Sequence, residues 1–215
     1  MIDLHTHSLL SDGILLPSEM LQQAKSKRVS ALAITDHVDL SNIDWVIPRL
    51  VNVCQHLKDQ GIRLIPGAEI THVPPELIAS LVEKARELGA MIVIVHGETI
   101  VEPVPSETNR AALNSDIDIL AHPGLLTQEE AELARQRGIA LEITARGGHC
   151  LTNGHVAKMA LLSGARLILN TDAHADTDLI TIEEAERIAH GAGVDDFKML
   201  IKNSEQIVNT RCSSF

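Results

Sequence analysis

Apolar, mostly β-branched runs of strand length recur along the chain, at Ile2–His5, Ala31–Thr35, Arg63–Ile70, Met91–His96, Ile117–His122, Ala140–Thr144 and Arg166–Thr171. Short runs that are apolar at consecutive positions predict strands buried on both faces. Between them the apolar positions take helical spacing, and several segments carry start and stop signals. Pro17-Ser18-Glu19 opens the first helix, and Pro74-Pro75-Glu76 opens the third, which runs to Gly89. Thr127-Gln128-Glu129-Glu130 reads as a capping box for the fifth, which stops at Gly138. Thr181-Ile182-Glu183-Glu184 repeats that pattern for the seventh, which stops near Gly191. Strict alternation of apolar strands and helices predicts a parallel sheet covered by helices. No linker or composition break interrupts it, so one α/β domain over residues 1–215 is expected.

An open sheet and a closed barrel both fit this alternation, and the strand ends arbitrate. In order they supply His5 with His7, Asp36-His37, Glu69, His96, His122, Glu142 with Arg146, and Asp172 with His174. An open sheet gathers its functional groups at one crevice fed by a few strands. Convergence from every strand end is the property of a closed barrel, whose strand C-termini ring a single mouth. The expected fold is a seven-unit β/α barrel, smaller than the common eight-unit one. Side-chain alternation puts Asp3, His5 and His7 on one face, Asn170, Asp172 and His174 on another, and Thr35 with His37 opposite Asp36. With the ligands inward, Asp3 and Asn170 lie one layer below, placed to orient the histidines.

Composition narrows the chemistry. The 18 Lys+Arg against 29 Asp+Glu give a net charge of −11, which argues against nucleic acid or an anionic membrane as partner. No apolar run approaches the roughly 18–20 residues of a membrane span, and the N-terminal residues lack the pattern of a signal peptide. Three cysteines (Cys54, Cys150, Cys212) show no metal or disulfide spacing. Together these features suit a cytoplasmic protein. Aromatic residues make up 1% of the chain, yet there are 11 histidines.

A single histidine at a strand end is commonly a polar rim residue. Here six of the 11, at positions 5, 7, 37, 96, 122 and 174, fall at strand ends beside Glu69 and Asp172. A buried mouth with that many imidazoles and no cation leaves many nitrogen lone pairs unsatisfied. Divalent zinc, iron or manganese answers that problem. Of the others, His56 and His190 read as surface residues, His72 and His155 sit in helices or loops, and His149 follows Arg146 in a glycine-rich loop.

The motifs Asp3-Leu4-His5-Thr6-His7-Ser8, Ser11-Asp12-Gly13, Thr35-Asp36-His37, Gly67-Ala68-Glu69, His96-Gly97, His122-Pro123 and Asp172-Ala173-His174 resemble, in order and spacing, those of the PHP (polymerase and histidinol phosphatase) superfamily. The resemblance implies a distorted (β/α)7 barrel with two to three divalent metals at its C-terminal face and phosphoester hydrolysis as its chemistry. It implies one metal on His5, His7, Glu69 and Asp172, a second sharing Glu69 with His96 and His122, and a third on Asp12, His37 and His174. Asp12 stands where some members place a histidine.

Three divalent cations against Asp12, Glu69 and Asp172 make a locally cationic mouth, suited to a phosphomonoester and to a water whose pKa is lowered towards 7. The catalytic expectations are Glu69, as a bridging ligand, and His149, as a proton donor to the leaving group or a substrate contact. Arg146 shares a face with Glu142 and Thr144, and Gly147-Gly148 lets a bound anion approach, so its guanidinium is the expected phosphate contact. The expected substrate is a small phosphorylated metabolite or a mononucleotide. Three alternatives rank below it: an amidohydrolase-like C–N or C–O hydrolase, a 3'-5' exonuclease-type phosphodiesterase, and a non-enzymatic barrel of the ribonuclease P type. The Val101–Thr108 stretch reads as the longest loop at the functional face, either a substrate wall or a proline-stiffened connection.

Overall fold

The computed structural model describes residues 1–58 and 60–212. Eight parallel strands are present: β1 (Ile2–Asp3), β2 (Ala31–Ile34), β3 (His37–Val38), β4 (Arg63–Ile70), β5 (Ile92–His96), β6 (Ile119–Ala121), β7 (Ala140–Thr144) and β8 (Arg166–Asn170). They run in the order β1-β2-β4-β5-β6-β7-β8, with β3 paired to β4. The second expected strand, Ala31–Thr35, is β2, and after a break at Thr35-Asp36 the short β3 continues its course, both lying along β4. Seven staves result, one of them interrupted.

The sheet is nearly closed into a barrel. At the seam between β1 and β8, Asp172 N donates to His5 O at 2.9 Å and His7 N to Ala173 O at 2.8 Å. Asn170 replaces a ladder bond there, its Oδ1 accepting from Leu4 N at 2.9 Å. That side chain interrupts β1 after Asp3, so the alternation expected from Asp3 to His7 does not hold. Leu4 joins the apolar interior, while His5 and His7 stand at the mouth.

Eight α-helices surround the strands: α1 (Pro17–Ser26), α2 (Ile43–Leu57), α3 (Pro75–Glu87), α4 (Thr108–Leu113), α5 (Gln128–Arg137), α6 (Asn153–Ser163), α7 (Ile182–Gly191) and α8 (Phe197–Arg211). The expected caps form. Thr127 accepts from Glu130 N and Thr181 from Glu184 N, and α5 ends on Gly138 in the left-handed conformation. One large apolar layer joins the outer strand faces to the helices, with Met20, Leu50, Val82 and Leu120 among its members. A smaller cluster fills the barrel, including Ala33, Ile65, Ile94, Ile119 and Ile168, and Ile207 and Val208 of α8 join it with Cys212 just beyond the helix. That eighth helix lay outside the expected strand–helix pattern.

The inner columns explain where the site sits. Several carry apolar side chains at the bottom and a polar group two residues on, as in Ile92-x-Ile94-x-His96 and Ile168-x-Asn170-x-Asp172. In the first and sixth the polar residue follows the interior one directly, at Leu4-His5 and Ala121-His122. Charged side chains therefore gather only at the C-terminal mouth, over a packed apolar floor.

Two glycines with similar backbones differ in their surroundings. Gly124 follows the His122-Pro123 pair at φ +63°, and a Cβ there would lie 1.8 Å from Glu98 O. Gly138 sits at φ +70° with nothing within 4 Å. Gly138→Ala should cost only the left-handed penalty of about 1–2 kcal/mol. Gly124→Ala adds a backbone clash and should lose about 2–5 kcal/mol. Urea unfolding midpoints measure both, and equal losses would show that the Glu98 loop yields freely.

Candidate metal centre

The mouth is built from strand ends and the turns after them. Glu69, at the end of β4, is fully buried and central. Its Oε2 lies 3.1 Å from His5 Nε2, 3.4 Å from His7 Nε2 and 3.0 Å from His37 Nδ1, and its Oε1 lies 3.8 Å from His122 Nε2. Asp172 faces it across the mouth, with Oδ1 3.1 Å from His7 Nε2 and 3.6 Å from His5 Nε2. Asp12 reaches in from the β1–α1 turn, its Oδ2 3.1 Å from His174 Nε2 and 3.6 Å from His37 Nε2. Backbone strain accompanies this convergence: His122 and Asp172 hold positive φ angles of 25° and 54°.

Several of these buried atoms have no hydrogen-bond partner: His5 Nε2, both ring nitrogens of His7, His37 Nδ1, His122 Nδ1 and both Glu69 oxygens. An unpaired buried polar atom costs about 1–3 kcal/mol, and these converge on one space. A divalent cation accepts from neutral imidazole and carboxylate together, so the residues fit a metal. Their ligand atoms form sets within 4.8 Å, which include His5-His7-Asp172, His5-Glu69-His122, His7-Asp12-His37-His174 and His96-His122-His149.

Of the first expected group, His5, His7 and Asp172 come together with Glu69 beside both histidines, and Asp12, His37 and His174 of the third come together with His7. The group of Glu69, His96 and His122 does not assemble as expected. No ion-pair contact joins Glu69 to His96, because His96 Nε2 meets Glu102 Oε2 at 3.0 Å instead. His149 takes the place beside it, its ring stacked on His122 at 4.2 Å.

Electrostatics without a cation are polarised. Burial opposes protonation of His5, yet the carboxylates of Glu69, Glu142 and Asp172 raise its pKa well above the usual imidazole value. Burial likewise opposes charge on His37, and Glu69 overrides it, lifting the pKa to about 9. His7 and His122 are depressed, first by burial and then by the neighbouring imidazoles His37 and His96. Burial raises Asp172, whereas Glu69 is held well below the carboxylate range by His5 and His37 in spite of its burial.

Supporting contacts differ from the sequence expectation. The group that orients His5 is Glu142, whose Oε1 lies 2.9 Å from His5 Nδ1 and accepts from Asn170 Nδ2 at 2.7 Å. Its Oε2 accepts from His122 N at 3.1 Å. Asn170 acts through Glu142, as a layer below the ligands should, but Asp3 touches no imidazole. Its carboxylate accepts from Thr171 N and Oγ1, and burial lifts its pKa to about 6. Asp36 accepts from Ser8 N, Ser8 Oγ and Ser11 Oγ at 2.6–2.7 Å, pinning the turn that carries Asp12. Arg146 is half-buried, and its Nη1 lies 3.1 Å from Asp178 Oδ2, the oxygen that also accepts from His174 N and Ala175 N.

With this geometry in place, the sequence model of the PHP domain matches residues 3–190. The chain belongs to the PHP domain family. Among relatives of this PHP protein, the uncharacterized protein MJ1295 of Methanocaldococcus jannaschii is 46% identical over 195 residues, covering 89% of each chain. The probable phosphatase PMI1003 of Proteus mirabilis is 27% identical, over 85% of this chain and 82% of its own. Among solved structures, a chain of an archaeal ribonuclease P with mature tRNA superposes with a TM-score of 0.74 at 17% identity, covering 98% of this chain and 91% of that one. Histidinol phosphate phosphatase from Lactococcus lactis, complexed with zinc, L-histidinol and phosphate, gives 0.64 at 17% identity, covering 90% and 94%. These two likenesses are of fold. No described helix is long and apolar enough to cross a membrane.

Glu102 and Thr99 are contributors to this PHP mouth that sequence reasoning missed, and the role of Glu142 as partner of His5 is a third feature it did not foresee. Glu98, Glu102 and Glu107 all lie in the loop after β5, and nothing in the sequence singles out the middle one. Glu142 was visible only as a strand end. Glu142→Gln puts an amide against donors already present and should weaken divalent-ion binding about 10- to 100-fold, as read by chelator competition. Unchanged affinity would show that His5 needs no orienting partner.

Proposed function

We propose that this PHP protein is a metal-dependent hydrolase of small phosphomonoesters. The observation that carries this reading is the convergence of unpartnered, buried imidazole and carboxylate atoms on one mouth. Two or three bound divalent ions (zinc, manganese or iron) would supply an activated water and the positive charge that neutralises the phosphoryl oxygens. His5, His7, Glu69 and Asp172 would hold one position, and Asp12, His37, His174 and His7 another. Glu69 touches members of both sets, which suits a shared ligand.

The loops around the mouth favour a small monoester. From residues 4–16, 35–42, 71–74, 97–107, 122–127, 145–152 and 171–181, the only Lys or Arg is Arg146. A polyanion such as nucleic acid needs a track of cations along its backbone, and none lines this rim. Large apolar side chains stand exposed there instead, among them Leu9, Ile14, Leu40, Ile100, Leu125 and Leu151. A single phosphate carried by an uncharged, partly apolar body matches that distribution. The probable phosphatase name of the Proteus relative and the phosphate and zinc in the Lactococcus structure support the same chemistry. The guanidinium of Arg146, engaged on Asp178 through Nη1, retains donors to orient a phosphoryl oxygen.

The test is phosphate release from a panel of phosphomonoesters by protein reconstituted with zinc, manganese or iron, beside a diester, an oligonucleotide and an amide. Monoester hydrolysis is expected. Turnover confined to the oligonucleotide or the amide would replace this reading with the exonuclease or amidohydrolase one. Glu69→Gln should lower kcat about 100- to 1,000-fold with the fold intact. Arg146→Ala should lower kcat/KM about 10- to 150-fold at unchanged metal content. Full activity in the latter would leave Arg146 as a tether for the His174 turn.

A further inference from the structure

The loop between β5 and α4 is pinned at its base and aims one carboxylate into the mouth. Glu98 N donates to Asn109 Oδ1 at 3.0 Å, and Asn109 N returns a bond to Glu98 Oε1 at 2.9 Å. Asn109 Nδ2 also donates to Pro123 O at 2.9 Å, tying the base to the His122-Pro123 turn. Between these anchors Glu102 reaches inward, with Oε2 3.0 Å from His96 Nε2 and Oε1 3.4 Å from His149 Nε2.

Both imidazoles have their other nitrogen occupied. His96 Nδ1 lies 3.1 Å from Gly97 O, and His149 Nδ1 lies 2.8 Å from Thr99 Oγ1, on the same loop. A metal-binding histidine is normally fixed in this way through its second nitrogen. His122, with Nδ1 buried and unpartnered, forms with His96 and His149 a set whose ligand atoms lie within 4.8 Å. Glu102 forms a second such set with His96 and the exposed His72, whose Nε2 lies 3.6 Å from Glu102 Oε2. Ligands about 2.0–2.2 Å from one ion lie some 3–3.6 Å apart, which is the spacing of Glu102 from His96 and His149.

We propose that Glu102 is a metal ligand, closing from the β5–α4 loop a site made with His96, His122 and His149. Three imidazoles and one carboxylate suit a zinc-like transition ion rather than magnesium or calcium. His149 is then a ligand and not the proton donor expected from the sequence. Glu69, 3.8 Å from His122 Nε2, stays within reach of this site while serving the positions nearer His5 and His37. This inference rests on the mouth being a metal centre, and it adds a ligand that no strand end supplies.

Glu102 is 39% exposed, so its replacement leaves the packed interior alone. Metal-free wild type, Glu102→Gln and Glu102→Ala should unfold at the same temperature. In zinc titrations against a chromogenic chelator, both variants should lose about 100-fold affinity at one equivalent and keep the remainder. The cobalt-substituted variants should show an altered d–d absorption, with Glu102→Asp intermediate. Wild-type zinc affinity and an unaltered cobalt spectrum in both variants would overturn the proposal. So would unchanged metal content with tighter inorganic phosphate, which would make Glu102 an occupant of the phosphate position. Wild type that takes up no divalent ion would overturn the metal centre itself, a separate result from variants that bind as wild type does.

Discussion

Everything at the mouth answers to one constraint: buried imidazoles and carboxylates stand too close to be satisfied by one another. Glu69 lies within 3.0–3.8 Å of four histidines, yet neither of its oxygens makes a hydrogen bond of acceptable geometry. Without a cation, the cluster divides into imidazoles pushed towards the charged form and imidazoles pushed away from it. His5 and His37 are raised by carboxylates, while burial and like neighbours depress His7 and His122. Such a constellation is expensive to leave bare, and divalent ions relieve it with the residues already in place.

The scaffold holds that strain by separating it from the rest of the chain. Below the mouth the barrel interior is aliphatic, joined by Ile207 and Val208 of α8 and by Cys212 just after it. Above that floor, Glu142 ties His5, Asn170 and the His122 backbone together across the β6, β7 and β8 ends and the β1 seam. Asp36 does the same for the Ser8–Ser11 turn, whose next residue is Asp12. These buried carboxylates do not belong to the central cluster. They lock rotamers, which is what a site needs if its ligands are to meet one ion rather than scatter.

Function follows from the contrast between centre and rim. The centre is dense in metal-binding atoms, and the rim has little positive charge, with Arg146 anchored on Asp178. The proposal of a small phosphomonoester rests on that contrast: no track of cations leads a polyanion outward from the mouth, and exposed Leu and Ile side chains of the loops would suit an apolar body. The ribonuclease P likeness shows that the same barrel frame occurs in an RNA-bound assembly. The frame does not decide between such roles; the side chains at the strand ends and on the loops do.

The sequence by itself determined the parallel barrel, the helix caps at Thr127 and Thr181, and the identity of nearly every imidazole at the mouth. These are local properties, set by periodicity, capping chemistry and the position of a residue at the end of an apolar run. Only the tertiary structure decided which ligands meet. Asn170 displaces a ladder bond at Leu4 and shifts the alternation of β1, so strand parity misjudged Asp3. A loop fold brings Glu102 onto His96 and His149, and three strand ends converge on Glu142. Such contacts join residues from 6 to 166 positions apart in sequence. They depend on barrel closure and loop course, and neither leaves a periodic trace along the chain.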